Sequence, residues 1–407
     1  MPEDGYNGDI VTSKPLSGLK RTVYLAICFC ALFIAVQLTQ GFLTSLFPPH
    51  VSLVSFAIVY LTFGFFSILA PQIESRVGTR WSLILGAATY PIINISLVLN
   101  QIWFVYFASL LVGLGASLLW LSQGIYVSLL ANGDDVGRYN GIFFGIFSAN
   151  TCIGMLALSI LERTSLSFDY DDLPKVISVI SIFAVILFLF VRRVEKKNMA
   201  KHPPFITAVK DIWATTCDRR ILCLLPSIVL QGTNMAFAFG PFPTMVDVNR
   251  VSDLFLSFGV ANMLASFVAG KLFDRCGWKL TIIMNTIVLL LGYTMTIIGV
   301  YSLKLWCMIL ASACLGFCDS ALMVIVNATI MNIWERDTEN PFAVFRSFNS
   351  ASTGIIMLLC QISPWPVISG INCILGLMSL VGYYLLYHLF TARTKIQEDE
   401  IALTSVE

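Results

Sequence analysis

Charged residues are scarce in this chain: 12% of its 407 residues are Asp, Glu, Lys or Arg, against 57% hydrophobic residues. A soluble domain carries about 25% charged residues, so the composition excludes an ordinary soluble fold. The net charge is +1, which leaves no strong field to attract nucleic acid. The mean hydropathy of +0.81 instead indicates a chain that is solvated by lipid.

Sites for metal, redox and nucleotide chemistry are also missing from the sequence. None of the 11 cysteines forms a Cys-x-x-Cys pair, and most fall inside apolar runs, where they behave as small hydrophobic residues. The 3 histidines, His50, His202 and His388, are far apart, and there is no phosphate-binding glycine loop. The sequence therefore predicts no enzyme activity, no cofactor, no metal site and no ATP-driven step.

Long uncharged runs dominate what is present. Each is long enough to cross a hydrocarbon core of about 30 Å, and the first is too long for a cleavable signal. We predict an all-α membrane protein with twelve transmembrane helices. Their ranges are 21–46, 51–70, 81–99, 102–130, 139–161, 176–193, 221–246, 252–271, 279–302, 304–332, 341–363 and 365–391.

The longest polar connection lies at the middle of the chain and separates six spans from six. The predicted units are a tail 1–20, a six-helix bundle 21–193, a linker 194–220, a second bundle 221–391 and a tail 392–407. Of the 25 Lys and Arg residues, all but four fall on the side of both tails and the linker, which predicts that this side is cytoplasmic. The four exceptions are Arg163, Lys175, Arg250 and Lys304.

The linker itself carries apolar residues at helical spacing. This pattern favours an amphipathic helix at the cytoplasmic membrane surface, with a solvated linker as the alternative. The residues are Phe205, Ile206, Val209, Ile212, Trp213 and Thr216.

Two motifs occur once in each half, in the same order. Segment Ala108–Ser117, in the fourth span, aligns with Ala311–Ser320, in the tenth. A charged turn after the second span aligns with one after the eighth. Its matched pairs are Ala70 with Ala269, Arg76 with Arg275, Gly78 with Gly277, Arg80 with Lys279, and Ser82 with Thr281. Corresponding spans run in the same direction, so the sequence predicts two six-helix bundles related as a parallel repeat.

Several motifs carry a resemblance to a known family. The turn Gly270–Lys279, with Asp274 at its centre, is similar to the signature between the second and third helices of a major facilitator half; its first-half copy has Ser75 at the aspartate position and Glu74 beside it. The further motifs are Gly113–Gly124, Gly137–Phe143, Leu315–Ser320 and Pro341–Arg346. Together they resemble the uncoordinated-93-like family of the major facilitator superfamily, and within it the major facilitator domain-containing protein 11-like branch.

This resemblance implies the twelve-helix major facilitator fold, but it leaves two functions open. One is a secondary transporter that moves a small solute by alternating access, with proton or cation coupling. The other is a non-transporting regulator of an ion channel, or a trafficking chaperone for a membrane receptor. The implied partners are the lipid bilayer, an unidentified small solute or another membrane protein, and not nucleic acid.

Asp319 is the sharpest single candidate for a functional residue. It lies near the middle of the tenth span, where a carboxylate is costly and is usually functional. We expect it to face a central cavity, with its protonation linked to ligand binding. A structural hydrogen bond to a neighbouring helix is the alternative.

Other polar residues recur at mid-depth of the first, fourth, seventh and tenth spans, which line the cavity in the facilitator fold. Singly, each amide is expected to join helices; as a set they favour a polar cavity. These candidates are Gln37, Gln40, Trp120, Gln123, Gln231, Asn234 and Asn327.

A second set of residues is predicted to control the conformational change. Charge pairs at the cytoplasmic ends of the helices can form and break as the halves rock; topology signalling by Arg275 and Lys279 is the alternative. For Arg346 the long stem favours snorkelling to the interface; pairing with Glu335, Asp337 or a substrate anion is the alternative. The set comprises Arg76, Gly78, Arg80, Arg138, Gly270, Asp274, Arg275, Gly277, Lys279 and Arg346.

Small residues repeat every four positions in the fifth and eighth spans, and such rows indicate close helix packing. In the facilitator fold these two helices meet across the halves. The rows are Gly141, Gly145 and Ala149, and Ala261, Ala265 and Ala269. In the seventh span, the sequence Gly240–Pro243 predicts a break near the outer end.

Overall fold

The structure is a computed structural model that describes residues 15–47, 49–131, 133–163, 172–194, 205–247, 250–334 and 337–404. Two short 3-10 turns, Gly133–Asp135 and Phe242–Met245, accompany the α-helices. The α-helices of the described residues are α1 (Pro15–Leu46), α2 (Pro49–Ser67), α3 (Ala70–Val77), α4 (Thr79–Ala88), α5 (Tyr90–Leu99), α6 (Ile102–Leu130), α7 (Val136–Arg163), α8 (Leu173–Leu189), α9 (Phe205–Thr216), α10 (Arg219–Phe239), α11 (Val251–Ser302), α12 (Leu305–Ile333), α13 (Glu339–Leu359) and α14 (Trp365–Thr404).

The all-α membrane fold is as the sequence predicts. Among the described residues, nine helical segments are long and apolar enough to cross a membrane, and the bent pair α2–α3 adds a tenth. The apolar part of α8, Pro174–Leu189, is shorter, and α11 runs for 52 residues, which is enough for two crossings. The architecture is therefore consistent with twelve spans.

Both charged turns are built on a glycine with positive φ. Gly78 has φ of 87° and separates α3 from α4, whereas Gly277 has φ of 72° and breaks α11 into residues 251–276 and 278–302. A residue with a Cβ atom is strained in this left-handed region. The repeated glycines thus reverse the chain between consecutive spans in both halves.

Several spans differ from their predicted limits, and proline explains two of the differences. The second span bends by 67° before α3, which has Pro71 in its first turn, and then continues to Val77 rather than ending at 70. The seventh span ends at Phe239, because Gly240 and the prolines after it stop the helix as predicted. The last helix, α14, continues to Thr404, past the predicted end of its span at 391.

The surface and the interior have the polarity that a lipid solvent requires. Large apolar side chains are exposed along the outside of the bundle, for example Phe65 and Trp103, at 65% and 69% of their full exposure. Many small hydroxyl and amide side chains are buried instead, including Ser55, Asn94 and Asn285. A soluble protein could not expose such an apolar surface without aggregating.

Two pairs of helices join the predicted halves in reciprocal fashion. The second span (α2) packs on the eleventh (α13), and the eighth (the first part of α11) packs on the fifth (α7). A Cβ atom added to Gly64 of α2 would lie 3.0 Å from the Ser347 carbonyl oxygen, and one on Gly141 of α7 would lie 2.7 Å from that of Ser266. Each pair becomes the other when the halves are exchanged, as expected for two repeats about a twofold axis.

The same repeat is visible within each half. Gly113 of α6 lies against the carbonyl oxygen of Val59, and Gly316 of α12 lies against that of Phe258. Val59 and Phe258 are equivalent positions when counted back from the turn glycines, and Gly113 and Gly316 are equivalent in the second motif. The fourth helix of each half therefore packs on the backbone of its second helix at the same place.

Helix α9 forms in the linker where apolar residues recur at helical spacing. Ile212 is buried against Ile221 and Val344, whereas the next residue, Trp213, is 70% exposed. Its placement at the cytoplasmic membrane surface, like the limits of the five predicted units, stays a prediction.

Candidate functional site: a central cavity

A cavity of about 170 Å³ lies between the helices of the two predicted halves. Most of its wall is aromatic or aliphatic, and a small number of polar side chains interrupt it. The polar and charged lining residues are Gln37, Thr39, Ser148, Asn150, Thr151, Gln231, Asn262, Asp319, Ser320, Arg346 and Asn349. A mainly apolar cavity with a few polar groups is typical of a small-molecule site.

Asp319 lines this cavity from α12, and two amide groups donate hydrogen bonds to its carboxylate. Gln231 of α10 donates from Nε2 to Oδ1 at 3.0 Å, and Asn262 of α11 donates from Nδ2 to Oδ2 at 3.0 Å. Asn349 of α13 in turn donates to Oε1 of Gln231. This hydrogen-bonded group therefore connects α10, α11, α12 and α13. Asp319 both faces the cavity and makes hydrogen bonds to neighbouring helices, so the two alternatives of the sequence analysis hold together.

Arg346 also lines the cavity, so the prediction that it snorkels to the interface is wrong. Its side chain is only 1% exposed. Its Nη2 donates to Oε1 of Gln123 at 3.2 Å and to Oδ1 of Asn327 at 3.4 Å, and Nη1 lies 3.6 Å from the Met323 sulfur. The reason is the rotation of α13 about its axis, which turns the Arg346 face toward α6 and α12. The side chain therefore cannot extend to the membrane surface.

Aromatic rings surround the Arg346 guanidinium. Its central carbon lies 5.0 Å from the Trp120 ring centroid and 4.5 Å from that of Phe345, within range of cation–π attraction. Nε has no hydrogen-bond partner, and no carboxylate of the described residues forms an ion pair with this side chain. The cation is thus held by neutral groups alone.

The other predicted cavity residues differ in their relation to the cavity. Gln37 and Trp120 line the cavity directly, and Gln37 donates to Thr151 across α1 and α7 at 3.0 Å. Gln123 and Asn327 do not line the cavity themselves, but both accept hydrogen bonds from Arg346, which does.

Asn234 does not line the cavity and joins helices instead. It donates to the Leu315 carbonyl at 3.3 Å and accepts from the Tyr293 hydroxyl at 3.1 Å, so it holds α10 against α12 and α11. The side chain of Gln40 lies outside the described part of the structure.

The sequence analysis missed Asn262 and Asn349 as cavity residues. Both had a signal: each is an amide within an apolar helix, and Asn349 follows Arg346 by one helical turn on the same face. It also missed an aromatic cluster in which Phe29 packs edge to face on Phe143 and Phe147, at centroid distances of 5.2 and 6.4 Å, while Phe143 and Phe147 stack at 6.3 Å.

Asp274 joins the two predicted halves at the end of the molecule that carries the charged turns. Its Oδ1 accepts from the backbone N–H of Gly137 at 2.8 Å and its Oδ2 from that of Arg138 at 2.7 Å. These N–H groups belong to the first turn of α7, where a helix has unpaired donors and a partial positive charge. Gly270 lies against the Gly137 carbonyl and permits this close approach.

The neighbouring basic residues of this turn do not take part in that contact. Lys279 lies 3.0 Å from the ring centroid of Tyr387, and Arg275 is exposed. The hydroxyl groups of Ser128 and Thr338 are 3.2 Å apart and make a second contact between the halves at this end.

The first-half copy of the turn has hydrogen bonds to residues of its own half. Glu74 is fully buried and accepts from the Thr79 hydroxyl at 2.6 Å. Arg80 donates to the Leu189 carbonyl at the end of α8, at 2.7 Å, and Arg76 is exposed. The aspartate that contacts α7 across the halves has Ser75 as its counterpart in the first copy.

Comparison with known proteins identifies the family. A family model described as "Ion channel regulatory protein UNC-93" matches residues 48–385. The chain belongs to the UNC-93 family. Among the relatives of this UNC-93 chain, UNC93-like protein 3 of Arabidopsis thaliana is 25% identical over 374 residues, which covers 82% of the chain and 79% of the relative.

Animal relatives show the same extent of similarity. UNC93-like protein MFSD11 of Xenopus tropicalis is 22% identical over 323 residues, covering 71% of the chain and 72% of the relative. Protein unc-93 homolog A of Bos taurus is 23% identical over 391 residues, covering 81% and 84%. The resemblance predicted from the motifs is confirmed.

Solved structures establish the fold of this UNC-93 chain. The crystal structure of FucP, a Major Facilitator Superfamily transporter in the outward conformation, matches with a TM-score of 0.64 at 11% identity, covering 89% of the chain and 99% of FucP. A second structure of FucP, the fucose:proton symporter of E. coli, has a TM-score of 0.67 and covers 91% and 99%. The major facilitator fold is thereby confirmed.

Proposed function

We propose that this UNC-93 chain is a secondary transporter that moves a small solute by alternating access. The observation that supports this most is the cavity between the halves, with a carboxylate and a guanidinium in a mainly apolar wall. A shared binding site between two repeats is the arrangement that alternating access requires. Both termini and the linker 194–220 are proposed to face the cytoplasm.

The contact of Asp274 with α7 is proposed to hold the cytoplasmic end closed. Opening that end must separate Asp274 from the Gly137 and Arg138 N–H groups and let α7 slide along α11. Gly270 allows the close approach, and Gly277 fixes the turn from which Asp274 extends. Arg76, Gly78, Arg80, Arg275 and Lys279 are proposed to act in the same motion.

Asp319 is proposed to carry the coupling proton or cation. It is the one carboxylate among the described residues that line the cavity, and the fold is shared with a fucose:proton symporter. Neutralising it on one side of the membrane and releasing the proton on the other would link its charge to the direction of opening.

Uptake by purified chain in liposomes tests the proposal. A panel of labelled sugars, amino acids, amines and carboxylates is offered with and without a pH gradient. We expect saturable uptake of at least one class, which Asp319→Asn lowers at least tenfold and uncouples from pH. The matched control is Asp253→Asn, the same chemical change in the first turn of α11.

The description of the family as ion channel regulatory proteins favours one alternative function. In that case the chain acts by binding another membrane protein, a channel or a receptor, and moves no solute itself. Asp319→Asn would then leave the regulated current or the delivery of the receptor unchanged. Absence of uptake by the folded, reconstituted chain would support this alternative.

A further inference from the structure

The two charged side chains of the cavity differ in how fully they are paired. Both carboxylate oxygens of Asp319 receive amide N–H groups. Arg346 has only two amide oxygens and a thioether sulfur as partners, and its buried Nε has none. Of the two charged groups in this cavity, the cation is therefore the less fully paired, and an anion would complete it.

Burying a guanidinium without a carboxylate is unfavourable for the protein alone. Arginine binds carboxylates through two parallel N–H donors, and Nε with one Nη forms such a fork. In Arg346 the buried Nε has no acceptor, Nη2 donates to the neutral amides Gln123 and Asn327, and the side chain lines the cavity. A ligand carboxylate in the cavity would supply the missing negative charge.

The rest of the wall indicates the body of the ligand. Aromatic rings line it, among them Phe33, Tyr60, Phe147, Phe239 and Phe258. Its volume of about 170 Å³ is close to the roughly 150 Å³ of a cavity that holds one benzene molecule. An apolar group about the size of one ring fits this space.

We propose that Arg346 is the anion-binding residue of the cavity and that the ligand is a small organic monocarboxylate whose apolar part is about one ring in size. Among the described lining residues Arg346 is the one cation, so one carboxylate balances it. A second carboxylate on the ligand would approach Asp319, which disfavours dicarboxylates. The inference rests on the proposed function only in treating this ligand as the transported solute.

An amine ligand on Asp319 is the competing possibility, and the contacts favour it less. The carboxylate already has two donors, and a cationic ligand would add a second positive charge to a cavity that holds Arg346. A carboxylate and an amine of similar size differ in charge, so an anionic, a neutral and a cationic probe distinguish the two possibilities.

Calorimetric titration of the purified full-length chain in lipid nanodiscs tests the inference. The probes are benzoate, the neutral isostere benzamide and the cation benzylamine. We expect benzoate to bind at least tenfold more tightly than benzamide, and benzylamine not to bind. Equal affinity for benzoate and benzamide, preference for benzylamine, or no saturable binding of benzoate, phenylacetate or hexanoate would overturn the inference.

Variants assign the binding to Arg346. Arg346→Gln should lower benzoate affinity at least tenfold and remove the preference over benzamide, and Arg346→Lys should retain part of it. Arg250→Gln, which removes an exposed arginine that pairs with Asp253, should bind as the original chain does. Wild-type benzoate affinity in Arg346→Gln would refute the assignment, and if that variant does not fold, the three-probe comparison on the original chain decides.

Binding and transport can fail separately. Benzoate binding without uptake would contradict the transporter function and leave the anion site standing. Uptake of an amine or a sugar, with no carboxylate binding, would contradict the anion site and leave the transporter function standing.

Discussion

Gln231 holds two partners at once, and this makes it the central hydrogen-bonding residue of the cavity. Its amide nitrogen donates to Asp319, and its amide oxygen accepts from Asn349. Asn234, one turn later on α10, has a comparable number of contacts but lies outside the cavity. The two residues therefore separate a structural amide from one that also serves the site.

Replacing either amide with leucine should destabilise the protein. Each change leaves buried polar groups without a partner, which costs about 1–3 kcal/mol in the free energy of unfolding. Thermal denaturation in detergent should show a lower Tm for both Gln231→Leu and Asn234→Leu. Only Gln231→Leu should also weaken ligand binding; loss of binding in Asn234→Leu at matched folded protein would show that our distinction is mistaken.

Single residues of the site were predictable where a lone polar group interrupts an apolar run. Asp319 was identified in this way, because the membrane makes such a group costly wherever it faces. Arg346 was not, because its position along α13 is compatible with both an interface-facing and a cavity-facing side chain. The difference is set by the rotation of α13 against α6 and α12, which depends on packing rather than on the local sequence.

The interface of α7 and α11 depends on the absence of side chains. A Cβ atom on Gly141 would lie 2.7 Å from the Ser266 carbonyl oxygen and 3.1 Å from the Gly270 Cα, so the helices would have to move apart. Gly370 of α14 offers a contrast, since a Cβ atom there meets nothing within 4 Å.

Alanine at these two glycines should have opposite effects on stability. Helix propensity alone favours alanine over glycine by about 1 kcal/mol at both sites. Gly370→Ala should therefore keep or raise the Tm, whereas overpacking by about 1–3 kcal/mol should lower it in Gly141→Ala. A raised Tm in Gly141→Ala would contradict the close packing of α7 on α11.

Asp274 should control how often the cytoplasmic end opens. Losing a carboxylate at a helix N-terminus costs about 1 kcal/mol, or about fivefold in a two-state population. Asp274→Asn should shift the distribution toward the open cytoplasmic end, measured by double electron–electron resonance between spin labels at Val77 and Lys271, both exposed. Asp253→Asn is the control, and an unchanged distance distribution in Asp274→Asn would count against the role.

Helices were predictable from apolar length, and their ends were predictable where glycine or proline interrupts them. Gly78, Gly277 and Gly240 mark observed breaks, whereas the bend before Pro71 was missed. A proline at the first turn of a helix is compatible with either a straight start or a bend. Contacts around it decide between them, and the sequence around Pro71 carries no separate signal for them.

The whole molecule is built from two similar halves, which pack on each other through two equivalent pairs of helices. The repeat motifs predicted this relation, and the reciprocal pairs α2–α13 and α7–α11 agree with it. The motifs gave no indication that Asp274 crosses between the halves to the first turn of α7. Glu74 of the first copy is shifted by one position and accepts a hydrogen bond from Thr79 in its own turn.

The orientation of the chain in the membrane is predicted from its basic residues. Cysteines introduced at Lys197, in the linker, and at Tyr170, between the fifth and sixth spans, lie outside the described residues but on opposite predicted sides. An impermeant thiol reagent added to intact cells that carry the chain in the plasma membrane should label the Tyr170 site alone. Labelling of the Lys197 site from outside would reverse or disprove the topology.

The central claim is that one cavity opens in turn to both sides of the membrane. Met323 lines that cavity beside Arg346, so Met323→Cys reports its accessibility, and Ala321→Cys, fully buried on the same helix, is the control. We predict that an impermeant anionic thiol reagent modifies Met323→Cys in both right-side-out and inside-out vesicles and leaves Ala321→Cys unmodified. Modification of Met323→Cys from one side only would contradict alternating access.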